Sequence, residues 1–116
     1  MSDQADGSLL TLDIERAGEG AVVRCHGKLV AGVTDVLYAE VRQLIPGTKR
    51  IVLDLTDLTH MDSMGLGTVV RLYVSAKAAD CDLRLINIGK RIRQLLAVSN
   101  LLSVFATIEK YDVPIH

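Results

Sequence analysis

Apolar residues recur along this chain with two periods. In "LLTLDIE", residues 9–15, Leu10, Leu12 and Ile14 alternate with polar positions. After the turn "RAGEG" a second extended run follows, "AVVRCH" at 21–26. The alternation predicts two strands joined as a hairpin. Gly27 then breaks the pattern, and "KLV" at 28–30 is expected to form a short third strand. From Thr34 to Ile45 the period changes: Val36, Leu37, Val41, Leu44 and Ile45 fall at helical spacing, with Thr34 as the expected cap and "PGTK" as the stop. "RIVLDLT" at 50–56 places Ile51, Val52, Leu53 and Leu55 almost without alternation, which predicts a central strand covered on both faces. From Ser63, the residues Leu66, Val69, Val70, Tyr73 and Ala76 predict a helix of about four turns ending at Lys77 or Ala79. "DLRLINI" at 82–88 reads as a strand and "KRIRQLLAVS" at 90–99 as a helix with Ile92, Leu95, Leu96 and Ser99 on one side. "SVFATIE" at 103–109 reads as a last strand or edge segment.

After the hairpin, strands and helices alternate, the pattern of an α/β layer with helices against a sheet. Ser63 therefore falls just beyond a buried strand and at the start of the next helix. Ligand and regulatory sites of such sheets lie there. On spacing alone the favoured role is local: Asp62 or Ser63 accepts a hydrogen bond from an N–H of the first turn.

Composition narrows the chemistry. At 116 residues, 49% of them hydrophobic, one domain with a self-sufficient core is expected. Only 3% are aromatic, so surfaces that stack sugars or bases are poorly supplied. Thirteen basic against fourteen acidic residues give a formal net charge of −1, which argues against direct nucleic-acid binding. "MSDQADGSLL" lacks the order of a signal peptide and no apolar run approaches the ~18 residues of a membrane span, so a cytoplasmic chain with no membrane insertion is expected. Cys25 and Cys81 read as reduced structural thiols, and His26, His60 and His116 are too scattered for metal-ligand spacing. No cofactor is expected.

Catalytic motifs fail on inspection. "MDSMG" approaches the nucleophile elbow, but Met61 stands where the first glycine must permit a strained turn. His60, Asp62 and Ser63 are too close in the chain to line up as a triad. "GLG" at 65–67 is followed by Thr68, Val69 and Val70, so neither a dinucleotide fingerprint nor a P-loop is present, and close packing at a helix start explains the glycines better. Lys90, Arg91 and Arg93 read as a solvated helix face.

Two stretches say more: "IVLDLTDLTHMDSMGLG" and "LRLINIGKRIRQLLAVSNLLSVF" resemble the STAS domain of bacterial anti-sigma factor antagonists. The resemblance runs from about residue 9 to 112, leaving 1–8 and 113–116 as tails. Its strongest elements are the strand-to-helix passage Asp54 to Gly67 and the late strand with Asn87. It implies a single α/β STAS-type domain, with a mixed central sheet, an N-terminal hairpin and helices mainly on one face. It also implies a binding module rather than an enzyme. Ser63 occupies the family's phosphoacceptor position. The implied partners are an anti-sigma factor serine kinase, a histidine-kinase-like ATPase, and a PP2C-type phosphatase. Unphosphorylated, the antagonist holds the kinase and frees a sigma factor; phosphorylated, it lets go. The implied partner-binding residues are Lys28, Val30, His60, Met61, Asp62, Ser63, Met64 and Gly65. The chain departs from the family at the acidic "G-E-L-D" stretch, here Gly27, Lys28, Leu29 and Val30. Met64 replaces a small or hydroxyl residue, with local packing favoured over docking. The alternative reading is a STAS scaffold or regulatory subunit in a stress-signalling complex or lipid-transport system, in which Ser63 is only a cap.

Overall fold

The structure, a computed structural model, describes residues 9–99. Strands β1 (Leu10–Ala17) and β2 (Gly20–Leu29) form the hairpin, antiparallel from Leu10↔Gly27 to Ala17↔Gly20. Helix α1 (Thr34–Leu44) leads to β3 (Arg50–Met61), helix α2 (Ser63–Ala78) to β4 (Asp82–Ile86), and helix α3 (Lys90–Val98) follows. The sheet order is β1-β2-β3-β4, with β2, β3 and β4 parallel and β1 antiparallel at one edge. This is the mixed α/β sheet expected. The parallel crossovers deliver the C-terminal ends of β2 and β3 to one rim, where α1 and α2 begin.

One face of the sheet is the core. Val23 and Cys25 of β2, Ile51, Leu53 and Leu55 of β3, and Leu83 and Leu85 of β4 are buried there. With them in one cluster lie Leu37 and Val41 of α1, Leu66, Val69, Leu72 and Ala76 of α2, and Ile92 and Leu96 of α3. The expectation that β3 is covered on both faces does not hold. Val52 and Asp54 are half-exposed, and so are the residues paired with them on either side, Val22 and Arg84 beside Val52 and Arg24 and Ile86 beside Asp54. Val52 alone made the run look continuous.

Four boundaries differ from the periodicity. "KLV" is not a separate strand: Gly27, at φ +107°, bends β2 without ending it, and Lys28 N–H donates to the Leu9 carbonyl at 2.6 Å. β3 continues five residues beyond Thr56, to Met61, because irregularities in its ladder with β2 keep the polar stretch "DLTHM" paired. Thr34 does not cap α1. The cap position is Val33, without a side-chain hydrogen bond, and backbone bonds from Val33 N–H to Val30 O and from Val36 N–H to Val33 O shape that turn instead. β4 stops at Ile86 because Asn87 adopts the left-handed region at φ 59°. The segment "SVFATIE" and both tails lie outside the described residues.

Candidate functional site

The rim begins with Asp62. Its backbone is extended and its side chain caps α2: Oδ1 accepts from Gly65 N–H at 2.9 Å, the usual reach from a cap to the third helical residue. Oδ2 accepts from Ala31 N–H, also at 2.9 Å, in the loop between β2 and α1. One carboxylate thus ties the two crossovers together. Hydrogen bonds from the Ala31 and Gly65 amides hold its pKa below the usual aspartate value.

Ser63 is relieved of the capping role. It is the first residue of α2, exposed, and among the described residues its hydroxyl has no hydrogen-bond partner. Gly65 explains how α2 can start so close to the sheet. It is buried, and a Cβ there would overlap the Leu29 carbonyl oxygen. Leu66 N–H donates to the Asp62 carbonyl at 2.9 Å and the Thr68 hydroxyl to the Met64 carbonyl at 3.0 Å, completing the first turns.

The remaining expected residues divide into two groups. Lys28 and His60 are exposed and sit opposite one another across the β2–β3 ladder, so the changed charge faces the same rim as Ser63. His60 Nδ1 lies 2.9 Å from the Thr59 hydroxyl, which donates to the Gly27 carbonyl at 3.0 Å. Val30 and Met61 are instead partly buried against the core. Met64 overturns the preference for local packing: it is 59% exposed, because the cap turns its side chain outward while Gly65 and Leu66 take the inward positions.

A second polar group lies on the open face of the sheet. Asp54 Oδ1 accepts from Thr56 N–H at 3.0 Å, from the Thr56 hydroxyl at 2.6 Å and from Asn87 Nδ2 at 3.0 Å, with Arg24 Nε 3.9 Å from Oδ2. Burial works against the charge on Asp54, but the bonds from Asn87 and Thr56 outweigh it, and the pKa falls below the ordinary value. Sequence reading singled out Asp54 and Asn87 only as motif letters. Their pairing joins residues 33 apart, and local spacing carries no signal for it. The Asp62–Ala31 bond, spanning 31 residues, was hidden for the same reason. Among the described residues no group of three His, Cys, Asp or Glu side chains could hold a metal ion. No described helix is long and apolar enough to cross a membrane.

This arrangement can present one free hydroxyl at a helix start. A comparison with known families matches residues 11–112 to the STAS domain. The chain belongs to the STAS domain family. A STAS-domain containing protein of Pseudomonas aeruginosa is 27% identical over 88 residues, covering 76% of this chain and 87% of that protein. Among solved structures, the anti-sigma factor antagonist SpoIIAA of Bacillus superposes in its unphosphorylated and phosphorylated forms with TM-scores of 0.69 and 0.67. Identity is 22% in both cases, over 78% and 82% of this chain and 82% and 87% of those chains. A sulfate transporter family protein of Wolinella succinogenes shares the fold as well, with a TM-score of 0.68 at 15% identity, over 78% of this chain and 75% of that one. At these identities the likeness is one of fold, which among the described residues is a sheet of four strands in mixed orientation with three helices.

Proposed function

We propose that this STAS domain is an anti-sigma factor antagonist controlled by phosphorylation of Ser63. The partner is a serine kinase of the histidine-kinase-like ATPase type that is itself the anti-sigma factor. The unphosphorylated domain binds the kinase and frees its sigma factor, the phosphorylated domain releases the kinase, and a PP2C-type phosphatase resets the cycle. The domain itself catalyses nothing. Lys28, Val30, His60, Met61, Asp62, Met64 and Gly65 form the rim around the acceptor, with Val30, Met61 and Gly65 as its frame and the others as its exposed surface.

The observation that carries this reading is the division of labour between Asp62 and Ser63. Asp62 takes the capping bond, so the neighbouring hydroxyl is exposed and uncommitted. A phosphate on the first helical residue meets the positive end of the helix dipole, favourable by about 0.3 to 1 kcal/mol, so the fold tolerates it. It also adds about −1.5 to −2 charges beside Asp62. At ~6 Å, two unit like charges repel by about 0.7 kcal/mol in water and about 3 kcal/mol at an effective dielectric of ~20. A docked partner, which excludes water, feels the modification far more than the free domain does.

The test is intact-mass and peptide mass spectrometry after incubation with the cognate kinase and ATP. One added phosphate at Ser63 is expected, with none in Ser63→Ala, and Ser63→Asp should weaken the kinase complex by about tenfold or more. Phosphate found only elsewhere, together with undiminished binding by Ser63→Asp, would overturn the reading. The shared fold with a transporter-family protein favours a second reading, a regulatory STAS subunit in which Ser63 is unmodified. That reading predicts a stable complex indifferent to phosphatase treatment.

A further inference from the structure

Beyond the rim, with which it shares Met64, the outward surface of α1 and α2 holds a charged arrangement that phosphorylation of Ser63 does not use. Tyr38 lies in the second turn of α1, and Arg42, one turn further, donates from Nη1 to the Tyr38 hydroxyl at 2.8 Å. The Arg42 guanidinium carbon is 5.5 Å from the centre of the Tyr38 ring, and that of Arg71, reaching over from α2, is 4.4 Å from it. Two cations are therefore held on one aromatic ring. Among the described residues neither has a carboxylate partner, whereas Arg24, Arg50 and Arg84 each do. The ring attracts both charges and the phenol oxygen occupies one donor of Arg42, but among the described residues no carboxylate forms an ion pair with either. A carboxylate is the group such planar forks bind best, through paired N–H···O bonds.

On α1 the exposed Asp35 shares the face of Tyr38 and Arg42, whereas on α2 the ground beside the pair is apolar. Met64 and Val74 on α2 are 59% and 60% exposed, and with Gly67 and Arg71 they recur at three- and four-residue steps, so they share one side of the helix. Tyr, Arg and Met are the residue types that interface centres favour. We propose that this outer face of α1 and α2, centred on Arg42, Tyr38 and Arg71, docks an acidic segment of a protein partner. A carboxylate lies on the two guanidiniums, and apolar side chains lie against Met64 and Val74. The two cations fall short of the clusters of about four to eight that anionic membranes select, and a chain of net charge −1 is a poor match for a polyphosphate backbone. The proposal goes beyond the phosphorylation reading and does not depend on Ser63 being modified.

The test is a titration of the full chain, ¹⁵N-labelled, with a hexaglutamate peptide, followed through backbone amides and arginine side-chain Nε–H signals. Shifts centred on Arg42, Arg71 and Tyr38 are expected, fading with added salt. Arg42→Gln combined with Arg71→Gln should weaken binding by about tenfold without altering the amide spectrum elsewhere. Arg42→Lys with Arg71→Lys should recover only part of it, because charge returns without the fork. Lys90→Gln with Arg91→Gln should bind as the parent does, and so should Ser63→Ala, whatever the kinase experiment finds. Shifts centred on Lys28 or on residues 90–93, or full affinity in the paired glutamine variant, overturn the proposal. So does binding to phosphatidylserine vesicles that the paired glutamine variant loses, which would assign the patch to a membrane.

Discussion

At the scale of single residues, Asp62 and Gly65 decide where Ser63 stands. Asp62→Ala removes two hydrogen bonds at once, one to each crossover, and is expected to destabilise the domain by about 1 to 2 kcal/mol, the upper part of the range for a lost cap. Thermal unfolding measures it. The same carboxylate gives a pH signature. Because the folded state lowers its pKa, the stabilisation is complete above the unfolded value of ~3.9 and is lost as pH falls through the lower folded value. The stability gap between the parent and Asp62→Asn should accordingly be constant near neutrality and close below about pH 4. A gap that persists to pH 2 would mean that the carboxylate's charge is not what matters. Gly65→Ala drives a methyl group into the Leu29 carbonyl, which belongs to a strand and cannot swing aside. A loss of about 1 to 3 kcal/mol is expected, with amide shifts at residues 29 and 63 showing that the helix start has moved.

At the scale of elements, the ladder between β2 and β3 is the least regular part of the sheet and the part that builds the rim. Gly27 is where it yields. Its φ of +107° is accessible to glycine, and any side chain there would meet the Leu9 carbonyl. Gly27→Val is expected to detach the end of β1 and disorder Lys28. Faster hydrogen exchange should appear first at Lys28 N–H, whose acceptor is that same Leu9 carbonyl. The helices and strands themselves were legible from their periods, because burial of one face imposes alternation on Leu10, Leu12 and Ile14 and three- and four-residue steps on Leu66, Val69 and Ala76. The end of β3 was not, since Thr56, Asp57, Thr59 and His60 are exposed although their backbone is paired. Side-chain chemistry records burial, and at a sheet rim pairing and burial part company. The cap of α1 was misread for a related reason: the loop before it is held by Asp62, far away in sequence, which removes the need for a local hydroxyl.

At the scale of the whole molecule, the core seals off one reactive group. Cys25 is buried in β2, and burial, with Asp54 adding to it, pushes its thiol up to about 12. At neutral pH the thiolate fraction is then on the order of 10⁻⁵. Labelling of Cys25 by a disulfide reagent should follow opening of the domain, rising with urea in step with circular dichroism. Rapid labelling of the native chain at Cys25 would show that the sheet opens locally. The same architecture leaves Ser63 exposed at the start of α2. The ladder also contains an arithmetic of sides. Between the pairs Arg24↔Asp54 and Leu29↔Met61, β3 advances seven residues while β2 advances five. Each extra residue reverses which way the following side chains point, and two of them restore it. Leu55 and Leu58 can both be buried at an odd spacing for that reason, and α2 still departs on the side where α1 waits. Removal of one residue from this stretch would turn the serine helix toward the wrong layer, whereas removal of two would return it, so length changes here should survive in pairs and fail singly.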